Sequence, residues 1–127
     1  MNKIEALALE AKIYEMCKEA IEAIPDGLAI ANVAGYREYA TVFLKEYRTV
    51  ETAIHAVRCL EDKGWQRDRA YVSQSMMAMV FAHGSNPHTV AVYCTDLDGS
   101  IEAFTPGCRV VEGHKLEKDQ RIECAYE

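Results

Sequence analysis

The side chains able to do chemistry gather in the second half of the chain. His83 and His88 flank a polar break, Gly84-Ser85-Asn86-Pro87, and His114 lies in a later polar run. A zinc site needs three or four ligands, usually arriving as tight CxxC or HxxxH pairs. His83 and His88 are five apart across Gly and Pro with no second pair, so the expectation is loop histidines bonded to backbone. Asp96 and Asp98 could act with these histidines as acid and base if the fold brings them together. Asp98-Gly99, however, already reads as turn chemistry, because Asp bonds its own backbone and Gly takes a positive φ. Ser85, Cys94 and Cys108 are possible nucleophiles without a GxSxG setting. No reaction is spelt out; a protein that binds without converting is expected, with no catalytic residue, cofactor or metal.

Phosphate would need another device. Neither GxxxxGK[ST] nor GxGxxG is present, which leaves arginine, whose planar fork takes two oxygens at once. Arg48, Arg58, Arg67, Arg69, Arg109 and Arg121 are the candidates. Arg58 interrupts an apolar helical stripe, so it either snorkels outward or points into a lined cavity. Arg109 opens a strand directly after Pro106-Gly107, where a side chain can project over a sheet end. Purine rings stack on aromatic faces, each contact contributing about 1–3 kcal/mol. Phe81, Trp65, Tyr93 and Phe104 are the available platforms. Phe81 alone reads as core. Beside Asn86, whose amide can meet a base or ribose edge, and with Arg109, it becomes one wall of a hollow.

These residues need elements to hold them. Lys3 to Ile24 contains no Gly or Pro and is rich in good helix formers. Its apolar residues form two stripes: Ile4, Leu7, Ala11, Tyr14 and Ile21, and then Leu9, Ile13, Met16, Ala20 and Ala23. One stripe suffices for a surface helix; the second predicts a dimerisation element, or else burial of both stripes within the chain. Pro25-Asp26-Gly27 ends the helix. Tyr36, Tyr39, Ala40, Phe43, Leu44 and Tyr47 fit helical spacing better than alternation, although Thr41-Val42-Phe43 keeps a strand open. Thr49 can cap a further helix with Val50, Ala53, Ile54, Val57 and Leu60 buried, ending near Lys63-Gly64.

From Ala70 the period becomes two. The run to His83 is apolar on both sides of the alternation, Met77, Met79 and Phe81 against Met76, Ala78 and Val80, which predicts a strand covered on both faces. Thr89–Thr95 and Ile101–Phe104 read as strands joined by an Asp98-Gly99 hairpin. Cys108–Glu112 and an edge strand, Arg121–Tyr126, follow. The fold class expected is α+β: a long N-terminal helix and further helices packed against an antiparallel meander of four or five strands. Residues 1–127 form a single ligand-binding domain in this reading.

The bulk properties narrow the partners. With 127 residues and half of them apolar, the chain can build one core. A net charge of −6 argues against nucleic-acid polymers, which need a basic face. Five scattered cysteines predict reduced, unpaired thiols in a reducing cytosol. The N-terminus lacks signal-peptide features, and no run reaches the roughly 18 apolar residues of a membrane span. A soluble, cytoplasmic protein is expected.

In layout the chain resembles the small phage proteins that defeat the Thoeris defence system by acting as sponges. The shared features are a long leading helix, more helix, and an antiparallel sheet in a chain of similar length. The resemblance implies a homodimer or higher homo-oligomer in the host cytoplasm that sequesters a cyclic ADP-ribose-type signal without cleaving it. It implies a site of arginines and an aromatic stack lined by Met and Asn, for which Arg58, Met77, Phe81, Asn86, Asp96 and Arg109 stand in comparable places. The family's possible second arginine cluster is not matched after Arg109, where Gly113, His114 and Lys115 stand. Two other readings compete: an acidic protein–protein inhibitor of a nuclease or CRISPR effector, and a small phosphodiesterase or hydrolase using His83, His88 and Asp96.

Overall fold

In the computed structural model, which describes residues 1–84, 86–112 and 120–124, Asn2 opens the first helix. Its side-chain oxygen accepts a hydrogen bond from Glu5 N at 2.8 Å, satisfying a backbone donor the helix leaves unpaired. Helix α1 then runs Lys3–Glu22, about 30 Å at 1.5 Å per residue. Strands β1 (Ile30–Gly35) and β2 (Ala40–Leu44) follow, then helix α2 (Val50–Asp62). Strands β3 (Gln66–Ser73), β4 (Met76–His83) and β5 (Asn86–Cys94) precede helix α3 (Leu97–Phe104). Strands β6 (Cys108–Glu112) and β7 (Gln120–Cys124) close the described chain. Ser85, the run with His114 and Lys115, and the expected strand end at Tyr126 lie outside the described residues.

The α+β expectation holds. The main sheet is five-stranded in the order β1-β2-β5-β4-β3, with β6 and β7 forming a separate antiparallel pair. One pairing departs from a meander: β2 and β5 run parallel, Thr41 opposite Thr89 and Phe43 opposite Ala91. The segment between them, α2 with the β3–β4 hairpin, is the long crossover that a parallel pair requires. Helix α1 packs on β1 and β2 and passes close over Gly35. A Cβ there would collide with Ile13 Cγ2 and stand 2.7 Å from Cys17 Sγ.

Several local expectations change. The segment 36–47 is a hairpin and strand rather than a helix: Tyr36 N donates to Tyr39 O at 2.8 Å, and Ala40, Val42 and Leu44 alternate inward. Pairing with β5 buries that side completely, which a short helix there could not do. The run Ala70–His83 is two strands folded at Gln74 and Ser75, both at positive φ (51° and 62°). Neither residue is the Gly, Asn or Asp that signals such a turn, so the alternation reads straight through it. Asp98-Gly99 is no hairpin. Asp96 Oδ1 accepts from Gly99 N at 3.1 Å and so caps α3, and Ile101 and Phe104 become one buried helical side. Cys108 and Cys124, opposite each other across β6 and β7, form a disulfide, against the expectation of five free thiols. The thiols of Cys17, Cys59 and Cys94 remain free.

The Thr49 cap is found as expected, its Oγ1 accepting from Thr52 N. Ala53, Val57 and Leu60 of α2 then meet Val42, Leu44, Met77, Met79, Phe81, Val90 and Val92 in one core. All three described helices contribute to that cluster. No helix among the described residues is long and apolar enough to cross a membrane.

Candidate functional site

The register fixes which side chains share each face of the sheet. Phe81 lies opposite Val90 and Met77 opposite Cys94, all on the helix side, where Phe81 is 0 % and Met77 1 % exposed. Neither ring nor thioether can touch a ligand from there. Arg58 is exposed on α2. Asn86 Oδ1 accepts from His88 N at 2.9 Å, and the residue borders a 220 Å³ hollow with Trp65, His83 and Lys63. Asp96 is occupied as the α3 cap. Arg109 lies exposed beside Asp98 and Glu102, at a separate hollow of about 480 Å³. Met77 and Phe81 share the core, and the other four stand in four different surroundings.

His83 and His88 are spoken for by the fold. His83 Nε2 is 2.9 Å from Lys63 O, and its ring meets Trp65 edge-on at 5.3 Å. His88 is buried, with Nδ1 accepting from Ala40 N at 3.0 Å and Nε2 3.6 Å from Glu19 Oε2. Among the described residues no three His, Cys, Asp or Glu side chains stand together as metal ligands.

The opposite face of the sheet carries a different chemistry. In a strand, successive side chains alternate sides, so Thr41 and Phe43 of β2, Thr89, Ala91 and Tyr93 of β5, Ala78 and Val80 of β4, and Tyr71 of β3 all point away from the helices. The sequence reading expects an element over this side. Instead, aromatic neighbours shield the small residues, leaving Ala78, Val80 and Ala91 at 0–4 % exposure. Phe43 and Tyr93 stack at 6.2 Å, and Tyr36 and Tyr39 stack at 4.6 Å above the β1–β2 turn. Small floor residues between large rim residues make a groove of about 430 Å³, bordered also by Asp68, Arg69 and Pro87. That volume lies within the range of small-molecule sites.

A bulge supplies the groove's charge. Arg67 lies opposite Phe81 and Arg69 opposite Val80, so Asp68 is an extra residue in β3. Strict alternation would put Arg67 and Arg69 on one side; the bulge sends them to opposite sides. Arg67 turns to the helix layer, over the Phe104 ring and bonded to Phe104 O and Glu61. Arg69 turns to the open face, its guanidinium carbon 6.0 Å from the Tyr71 ring centre. Among the described residues it has no carboxylate within ion-pair distance. Thr41 and Thr89 hydroxyls, 3.0 Å apart, add donors and acceptors at the floor.

Tyr93 has its hydroxyl pushed far above the ordinary tyrosine range, first by burial, then by its hydrogen bond with Tyr71 and the charge Tyr71 would carry. The Tyr93 hydroxyl therefore keeps its proton to higher pH than a free tyrosine does. In the unfolded chain a tyrosine ionises near pH 10. Below that both states keep the proton; above it the unfolded state loses it first and stability falls as pH rises. Urea midpoints should therefore drop between about pH 9 and about pH 11, and drop less in Tyr93→Phe. An identical alkaline loss in both proteins would contradict the placement of that hydroxyl.

Signals for this face were present in the sequence only as scattered tyrosines and an ordinary-looking Asp68-Arg69 pair. The chain matches no family model, no curated protein and no solved structure.

Proposed function

We propose that this protein is a sponge: it captures a small anionic ligand with a planar base, of the cyclic nucleotide or cyclic ADP-ribose class, on the open sheet face and holds it uncleaved. One observation carries the reading. Arg69, a cation with no ion-pair partner among the described residues, stands beside a groove walled by aromatic rings, on the one face of the sheet that the described helices leave uncovered. Rings offer stacking surface to a base, and a guanidinium offers two parallel donors to a phosphate. Asp68 and the Thr41–Thr89 pair supply acceptors for ribose hydroxyls. Retention without cleavage is favoured because His83 at the end of β4 and His88 in β5 are engaged in structural contacts rather than facing the groove. The resemblance to anti-Thoeris sponges names the ligand class to try first and puts the protein's work in the host cytoplasm.

Thermal unfolding with cyclic ADP-ribose isomers and cyclic oligonucleotides tests this. A ligand at about a hundred times its Kd should stabilise the fold by about 2.7 kcal/mol and raise Tm accordingly. Heat should then return it chemically unchanged on chromatography. An unmoved melting curve across the panel rejects the proposal, and a converted ligand transfers the case to the hydrolase reading.

A further inference from the structure

The bond between His83 and the backbone uses one ring nitrogen and leaves the other. A carbonyl oxygen only accepts, so Nε2, 2.9 Å from Lys63 O, carries the proton and Nδ1 keeps a lone pair. The neighbouring chain is shaped to this ring. Gly64 stands at φ 90°, and a Cβ there would lie 2.9 Å from Nε2. Trp65, buried, meets the ring edge-on. Nδ1 has no protein partner among the described residues, where no buried side-chain nitrogen or oxygen lacks one, so it reaches open space.

Two further donors belong to residues lining the same hollow of about 220 Å³. Asn86 Oδ1 accepts from His88 N, which fixes the amide's orientation and leaves its NH2 unspent among the described residues. Lys63 has no carboxylate within ion-pair distance among them. Ala23, Pro25 and Trp65 complete the walls. No acidic residue lines the hollow, in a chain whose net charge is −6.

We propose that this hollow is an anion site, separate from the open-face groove, which holds a free sulfate- or phosphate-sized oxyanion and takes up a proton at His83 as it does so. His83 and Asn86 are each anchored at one polar atom and offer another, so little side-chain freedom is lost on binding. Neutral His83 would turn a lone pair toward the anion. The imidazolium donates from both nitrogens, keeping its bond to Lys63 O while Nδ1–H meets the anion. Positive charge at the end of α2 is also the sign that the helix carbonyls favour. The other charges nearby are directed elsewhere. Glu22 and Asp26 flank Ala23 and Pro25 in the chain but are exposed and outside the lining. On β5, His88 is turned to Ala40 N and Glu19, and on β3, Arg67 is paired with Glu61. The volume falls short of the roughly 300 Å³ at which sites for larger organic ligands begin. None of these residues lines the groove, so the site stands whether or not the sponge reading does.

Trp65 is the single tryptophan, so its emission reports on this hollow. Sulfate keeps its charge between about pH 5.5 and about pH 8, the interval in which histidines ordinarily titrate, so a change of affinity there belongs to the protein. Titrated against chloride at constant ionic strength, sulfate should bind at least about tenfold more tightly at the lower pH, the worth of one charge-assisted hydrogen bond. His83→Gln, whose amide can still donate to Lys63 O, should lose that pH dependence. Lys63→Gln, at an exposed position, should weaken binding at both pH values, and Arg69→Glu should alter neither. Sulfate that leaves Trp65 emission unmoved overturns the proposal. So does a pH dependence that survives His83→Gln, full affinity in Lys63→Gln, or a signal lost in Arg69→Glu.

Discussion

Phe81→Ala is expected to cost about 3–5 kcal/mol of stability, the usual penalty for emptying a buried aromatic site. Small domains have about 5–15 kcal/mol in total, so this variant should be close to unfolding at room temperature. The reason is position: Phe81 is wholly buried in β4, opposite Val90, inside a core shared by α2 and α3. A ring walled in by Val90, Met79 and the helices cannot relax into the gap without moving backbone. Urea denaturation should show a midpoint lower by more than about 1 M with a similar slope. The milder Phe81→Leu should still fold and should keep any ligand affinity of the open face, because the side chain lies on the other side of the sheet. Loss of binding in folded Phe81→Leu would return that residue to the ligand site.

Arg69→Glu should have the converse profile. A hydrogen bond to a charged group contributes about 1.5–3 kcal/mol, and reversal adds repulsion to the loss, so affinity for an anionic ligand should fall by at least about a hundredfold. Stability should move by less than about 0.5 kcal/mol, since Arg69 is exposed and has no ion-pair partner among the described residues. Arg67→Glu, two residues away, is the informative control. It would break contacts with Glu61 and Phe104 O on the helix side and leave the groove's charge unchanged. Titration calorimetry of the two variants separates a site on the open face from a general effect of basic residues. Equal losses of affinity in both would remove Arg69 from the site.

Some of this protein is written in its local sequence. The Lys3–Ile24 segment declares a helix through its formers and its two stripes, and the structure adds only that it overhangs. Thr49 and the apolar side from Val50 to Leu60 declare α2, cap included. Those features rest on neighbours within one or two turns, so spacing alone carries them. The α+β class was legible for the same reason, as a change of period from Ala70 onward.

The site was not legible, because it depends on pairings between distant strands. Nothing near Ala70–His83 marks the Gln74-Ser75 turn, whose positive φ angles are held by the β3–β4 ladder rather than by turn residues. Asp96 and Asp98 both suit a turn; only the burial of Ile101 and Phe104 decides for a capped helix. Phe81 and Val80 are equally apolar neighbours, and the register alone sends the ring into the core and leaves Val80 at the groove floor. Asp68 becomes a bulge only when β3 meets β4, and that one extra residue parts Arg67 from Arg69. Side-chain period along a strand is local, whereas the choice of face is made by partners dozens of residues away, and there the tertiary structure had to decide.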